Sequence, residues 1–391
     1  MCFQAWEHRS KAPSVTDHFW RASAFKFKPR IKRTHRRHAP AFEEKIVNRN
    51  KQLRVAVIGA GRIGRVHAQH LTNRIARARL IAIADTHEPS ARKLADELNI
   101  DAVYSDHKKM FEKEELDAVL ICSSTDTHSQ IIQDAAAAGL HIFCEKPIDH
   151  EVSKIDRALK AVQQAGVKLQ IGFNRRFDPN FRQVHAVVKA GQIGIPHIIR
   201  ITSRDPAPPP IEYIKVSGGM FMDMTIHDFD MARFLAGSEV TKVFATGGVR
   251  VDPRIGEAGD IDTAVVTLEF ENGAIATIDN SRQAAYGYDQ RVEVFGSEGA
   301  VAADNNTPHR TVKSDKTGVH TPLPLNFFMD RYIDSYLCEI NEFVQAVLDD
   351  ADVPVSGADG RMPVLIAQAA KQSLREERAI ALSEIAAKIS K

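Results

Sequence analysis

Cysteine is scarce and scattered. The chain of 391 residues has four, Cys2, Cys122, Cys144 and Cys338, and no two of them form a C-x-x-C pair. That excludes a disulfide framework or a zinc knuckle and suits buried thiols in a reducing, cytoplasmic compartment. Long apolar runs are missing as well. No stretch approaches the roughly 18 uninterrupted apolar residues of a bilayer span, which excludes an integral membrane protein. Internal repeats and low-complexity tracts are absent, apart from the stiff PAPPP loop after Asp205. Net charge is small, only +2, but unevenly spread: Met1 to Pro40 holds ten Lys or Arg and two acids, leaving 42 basic against 48 acidic residues downstream. A mildly acidic body lacks the clustered basic surface that binds phosphate backbones, so the expected partner is a small molecule and not nucleic acid.

What is present is ordinary for a globular protein, with 43% hydrophobic and 26% charged residues, and the length predicts two domains. Residues 1–50 form a basic leader whose segment KFKPRIKRTHRRHAP has no periodic apolar face. It reads as a disordered tail or an upstream mis-start, with a transit peptide or polyanion-binding arm as the alternatives. Over residues 51–172, short runs rich in Val, Ile and Leu alternate with helical segments (RVAVIGAG, RLIAIAD, DAVLICSS, HIFCEKP, KLQIGF), the pattern of a doubly wound parallel α/β sheet. Over residues 173–391, longer strands alternate polar and apolar positions and are joined by turn sequences such as ENGA and SEGA. They predict an α+β domain with a large, mostly antiparallel open sheet. Helical periodicity around 330–348 and 357–374 predicts helices that pack back on the first domain. An open sheet face that these helices leave uncovered would be buried against another subunit.

VAVIGAGRIGRVHA carries G-x-G-x-x-G at Gly59, Gly61 and Gly64, directly between an apolar strand and a helix. The first glycine permits the turn, the second admits a pyrophosphate and the third lets helix and strand meet, with Arg62 and Ile63 between them. Asp85 ends the second strand, where a carboxylate binds the ribose hydroxyls and repels a 2′-phosphate, so NAD is favoured over NADP. Ligands of such sheets lie beyond the carboxyl ends of the strands. That rule adds Cys122, Ser123, Ser124, Thr125 and His128 of CSSTDTHS, and Glu145 and Lys146 of CEKP, to the cofactor side. Two roles are open to His128, a bond to the sugar or a helix cap. Lys146 can donate to a substrate hydroxyl.

GGMFMDMTIHDFDMARFL places Asp223 and His227 four residues apart, hence on one face of a single helix. A carboxylate that fixes the imidazole tautomer makes a general base of the other nitrogen. Asp228 and Asp230 point elsewhere, and the Met and Phe residues provide packing. No metal is expected, because no second His or Cys lies at ligand spacing.

Taken together, GAGRIG, EKP, GFNRRFDPNF, SRDP, DMTIHDFDMARF, YGYDQRVEVFGSEG and RYIDSYLCEINEF resemble the glucose-fructose oxidoreductase, inositol dehydrogenase and rhizopine-catabolism (Gfo/Idh/MocA-type) family, and its inositol 2-dehydrogenase branch in particular. The resemblance implies a Rossmann domain with NAD and a catalytic set of Lys146, Asp223 and His227, with His227 as base, Lys146 holding the hydroxyl and Asp223 orienting His227. It adds Asn174, Arg175, Asp205 and Tyr288 as substrate contacts, with one of Arg175 and Arg176 facing the cleft. The implied reaction is oxidation of myo-inositol to 2-keto-myo-inositol by a homotetramer. Scyllo-inositol or aldose dehydrogenation and NAD-dependent glycoside hydrolysis are the rivals, with a non-catalytic regulator behind them.

Overall fold

The computed structural model describes residues 52–389, so the basic leader and Cys2 lie outside the described residues. Six strands, β1 (Leu53–Ile58), β2 (Ala78–Ala84), β3 (Ala102–Tyr104), β4 (Ala118–Ile121), β5 (His141–Glu145) and β6 (Leu169–Gly172), make one sheet in the order β3-β2-β1-β4-β5-β6. Every pair in it is parallel. The helices α1 (Arg62–Asn73), α2 (Glu88–Leu98), α3 (His107–Lys113), α4 (Thr125–Ala137) and α5 (Val152–Ala165) make the crossovers. Strand order reverses between β1 and β4, the place where such sheets open a ligand crevice. β4 is buried throughout, as its unbroken AVLI requires of a strand covered on both faces.

The turn from β1 into α1 is fixed by contact. Gly59 has φ +102°, and a Cβ there would lie 2.5 Å from the Cys122 carbonyl oxygen; one on Gly64 would lie 1.8 Å from the carbonyl oxygen of Gly59. A Cβ on Gly61 would meet nothing within 4 Å. Two glycines thus let strand and helix touch, and the third faces open space at the N-terminus of α1, where helix N–H groups favour an anion.

A 3₁₀ turn, Asn174–Phe177, leads into α6 (Pro179–Lys189), and β7 (Pro196–Arg204) starts a second sheet. The short helices α7 (Ile211–Ile214) and α8 (Met220–Asp223) precede α9 (Ile226–Ala236). Then come β8 (Val240–Gly248), α10 (Pro253–Glu257), β9 (Thr263–Phe270), β10 (Ile275–Ser281), β11 (Asp289–Gly296), β12 (Gly299–Ala303) and the hairpin β13 (Lys313–Asp315) and β14 (Gly318–His320). Helices α11 (Phe328–Leu348) and α12 (Gly357–Glu376), strand β15 (Ile380–Ala381) and α13 (Leu382–Ile389) complete the described chain. The second sheet runs β12-β11-β7-β10-β9-β8-β15, and only β7 and β10 pair in parallel. A doubly wound parallel sheet joined to a mostly antiparallel one is the architecture expected from the strand patterns.

α11 lies on the parallel sheet, where Ile340, Phe343 and Val344 share a core with Leu53, Val55, Leu120 and Phe143. α12 lies against it too: a Cβ on Gly360 would reach Ile148 and Ile171 at 2.8 Å. One face of the second sheet stays open. Ile275, Ile198 and Phe295 stand opposite one another on β10, β7 and β11 with exposures of 44%, 36% and 46%, and Val265 and Phe244 extend the patch. No helix among the described residues is long and apolar enough to cross a membrane.

Gly64→Ala tests the strand–helix contact. The added methyl must displace backbone, so the variant should lose stability by several kcal/mol, and urea unfolding together with NAD calorimetry should show a lower midpoint and weakened binding.

Candidate active site

The Rossmann crevice is ready for a dinucleotide before any ligand arrives. The Asp85 carboxylate, just past β2, accepts from the backbone amides of Ala60 at 2.7 Å and His87 at 2.8 Å. It is therefore anchored to the glycine turn, and each oxygen keeps lone-pair capacity for a ribose hydroxyl. Cys122 and Ser123 press their backbone against Gly59, and Ser124 and Thr125 open α4 beside it. Arg62 and Ile63 begin α1, with the exposed Arg62 guanidinium 5.7 Å from the Phe327 ring. Open space at Gly61 and a fixed carboxylate at Asp85 are the features that NAD requires.

His128 corrects both roles considered for it. It is 1% exposed, with Nδ1 2.9 Å from the Pro147 carbonyl and Nε2 3.0 Å from that of Ser123. It neither caps α4 nor keeps a nitrogen for a sugar; it ties the β4 and β5 loops together. Glu145 likewise turns inward, accepting from His67 Nε2 at 2.8 Å. His67, Glu145 and Glu339 bring potential ligand atoms within 4.8 Å of one another. The set resembles an acid pair more than a metal sphere: Nε2 is spent on Glu145, and Nδ1 lacks the partner that orients a metal-bound imidazole. Burial, then the charge of Glu145, pushes the Glu339 carboxyl far above the usual range.

Lys146 follows β5 and crosses to the other half of the molecule, donating from Nζ to the Asp223 carbonyl oxygen at 3.0 Å. Burial lowers its pKa, and the nearby carboxylates of Asp223 and Glu145 partly restore it. His227 is held neutral: burial first, then the charges of Lys146 and Arg175, depress its pKa well below the imidazole range. Its ring meets the edge of Phe173 with centroids 6.1 Å apart, and its buried Nδ1 has no hydrogen-bond partner.

The expected coupling of Asp223 to His227 is overturned. α8 ends at Asp223 and α9 begins at Ile226, so the two residues do not share one helix. The carboxylate instead accepts from the Tyr213 hydroxyl at 2.8 Å and from both terminal nitrogens of Arg282 at 3.3 Å. A buried guanidinium attracts a carboxylate more strongly than a neutral imidazole does. Neither Tyr213 nor Arg282 emerged from sequence reasoning. Arg282 had a signal, because β10 buries Ala276, Ile278 and Asn280, and the same alternation carries inward to 282.

The arginines of GFNRRF separate. Arg176 makes a two-pronged pair with Asp230 at 2.8 and 2.6 Å and reaches Asp359 at 3.1 Å. Arg175 bonds Asp228 at 2.5 Å and the Ser203 hydroxyl at 3.3 Å. Both are buried and paired, but only the charge of Arg175 is felt by Lys146 and His227, so it lies under the cleft floor. Burial raises the Asp228 and Asp230 carboxyls, and the arginines oppose the rise. Asn174 is 2% exposed with Nδ2 unpartnered, and Tyr288 stands edge-on to Tyr332 at 6.0 Å. Asp205, just beyond β7, is pushed up to about 6 by burial, against the pull of Arg282. Asp178 caps α6, accepting from the Asn180 and Phe181 amides, whereas Asn180 reaches Asn306.

Two family models cover most of this architecture. Residues 53–173 match the oxidoreductase family with NAD-binding Rossmann fold, and 181–302 match the GFO/IDH/MocA C-terminal domain. The chain belongs to the GFO/IDH/MocA oxidoreductase family. It is similar to the myo-inositol 2-dehydrogenase of Thermotoga maritima, 50% identical over 85% of this chain and 99% of that one. It is 45% identical to the inositol 2-dehydrogenase of Rhizobium meliloti at the same coverage. Among solved structures, the scyllo-inositol dehydrogenase of Lactobacillus casei with bound NAD(H) and scyllo-inositol superposes with a TM-score of 0.80 at 30% identity, covering 85% of this chain and all of that one. This oxidoreductase is NAD-dependent, and the crevice at Gly61 and Asp85 fits that cofactor.

The Arg176–Asp230 pair is a structural element of the oxidoreductase. Asp230→Ala should cost about 3 kcal/mol by stranding a buried guanidinium, while the double change Arg176→Met, Asp230→Leu should cost clearly less; equilibrium urea unfolding measures both.

Proposed function

We propose that the protein oxidises one secondary hydroxyl of a cyclic polyol, converting myo-inositol to 2-keto-myo-inositol (scyllo-inosose). His227 acts as general base and Lys146 holds the reacting hydroxyl. The carrying observation is the neutral, partly buried imidazole of His227, which feels the ammonium charge of Lys146, the residue that follows β5 of the NAD-binding sheet. A neutral imidazole can take the hydroxyl proton, and an ammonium stabilises the negative charge that develops on that oxygen. NAD, when bound, accepts the hydride. The 50% identity to a myo-inositol 2-dehydrogenase supports the choice of substrate.

A polyol needs many directional contacts. Asp223 and Asp205 supply acceptors, Asn174 Nδ2 an uncommitted donor, and the Tyr288 hydroxyl either. In this reading Asp223 receives a neighbouring hydroxyl instead of orienting His227. The Phe173 edge packs on that imidazole. The buried Arg175 beneath it disfavours the imidazolium until the proton arrives, which keeps the base free.

His227→Ala and Lys146→Ala should each lower kcat by on the order of a hundredfold or more while NAD affinity by calorimetry is unchanged; turnover at the wild-type rate in His227→Ala would remove the proposed base. Initial rates on myo-inositol, scyllo-inositol and aldoses, with NAD and with NADP, measure the specificity, and myo-inositol with NAD should lead. The open sheet face supports assembly into a homotetramer through the Ile198, Ile275 and Phe295 row. Light scattering should return four times the 43.4 kDa chain mass, and a monomer would refute it.

A further inference from the structure

Beneath Asp223 lies a guanidinium that no role above absorbs. Arg282 is 1% exposed, one of the largest fully buried side chains among the described residues. Its backbone N–H donates to the Asp262 carbonyl at 2.8 Å, which fixes its root just past β10. Its head reaches both ends of α8. At the C-terminal end both terminal nitrogens stand 3.3 Å from Asp223 Oδ2; at the N-terminal end the head is 3.8 Å from Oδ2 of Asp260, whose Oδ1 accepts from the Met220 amide at 3.0 Å. Neither Nε nor Asp260 Oδ2 has a hydrogen-bond partner among the described residues. The separations are those of an ion set between carboxylates and not of one tight pair.

The surrounding charges are unbalanced. Asp223, Asp260 and Asp205 face Arg282; the other groups around this wall are Lys146, Arg175, Asp228, the Tyr213 hydroxyl with Arg62 near it, and Lys371 near Asp260. Arg175 is committed to Asp228, and Lys146 and Lys371 donate to backbone carbonyls, so Arg282 is the cation shared among the three carboxylates. A planar fork can address two of them at once, whereas an ammonium is a point charge.

Building on the assignment of Lys146 and His227 as the reacting centre, we propose that Arg282 is a positioning residue of the oxidation. It holds the Asp223 carboxylate off the imidazole and keeps it, beside Asp205, in place as one of two acceptors for the hydroxyls flanking the one oxidised. The positive charge also explains why Asp205 ionises near 6 and no higher despite its burial.

The test compares Arg282→Met and Arg282→Lys with wild type, using whichever polyol of the substrate panel the wild type oxidises. Arg282→Met should raise KM for the polyol on the order of 10- to 100-fold, leave NAD affinity unchanged and move the acid limb of the kcat/KM profile to higher pH, because the charge that opposes protonation of Asp205 is gone. Arg282→Lys should return that limb towards the wild-type position while KM stays raised, since charge is restored and the fork is not. A purely structural role would lower stability without moving the acid limb or separating KM from kcat. Wild-type KM and pH profile in Arg282→Met overturns the proposal; if that variant does not fold, wild-type KM in Arg282→Lys overturns it. Failure of the reacting-centre assignment is seen separately, as undiminished turnover in His227→Ala.

Discussion

Two arginines in succession and two aspartates one residue apart hold the cleft in register. Arg175 and Arg176 sit in the 3₁₀ turn that leaves the parallel sheet, and Asp228 and Asp230 sit in α9, so each pair ties the start of the second half to the helix that carries His227. An unpaired charge in that interior would cost several kcal/mol, so the chain has few alternative ways to dock these segments. Asn174 and His227, both proposed to meet substrate, directly precede Arg175 and Asp228. The placement of His227, the proposed proton acceptor, thereby depends on buried ion pairs on the same helix.

The crossing from the other direction is lighter. Lys146 spans from β5 to the Asp223 carbonyl with a single hydrogen bond, and its neighbour Glu145 is engaged behind the sheet by His67 near the buried acid Glu339. The last residue of β5 and the one just after it thus face opposite environments, an ammonium towards Asp223 and a carboxylate towards α1 and α11. That division continues the alternation of the strand one step past its end.

Much of this was legible in the sequence because it depends on local rules. Glycine spacing, unbroken apolar runs and period-2 strands announced the two sheets, and Lys146 and His227 stood out as charged or titratable groups at strand ends and in an apolar helix. What was not legible depends on contacts across long separations. The four-residue spacing of Asp223 and His227 implied one continuous helix, but the chain breaks at Met224 and Thr225, and Arg282, 59 residues further on, competes for the carboxylate. His128 carried no local sign that two carbonyl oxygens would enclose its ring. Partner choice among buried ions is a tertiary property, and periodicity alone does not encode it.

Asp85 shows how such double duty constrains change. Its carboxylate, expected to take the ribose hydroxyls, ties down the amides of Ala60 and His87. Replacing it to welcome a phosphorylated ribose would loosen the glycine turn in the same stroke. Redesign of the coenzyme preference therefore has to begin with a substitute acceptor for those two amides, and natural drift at this position carries the same toll.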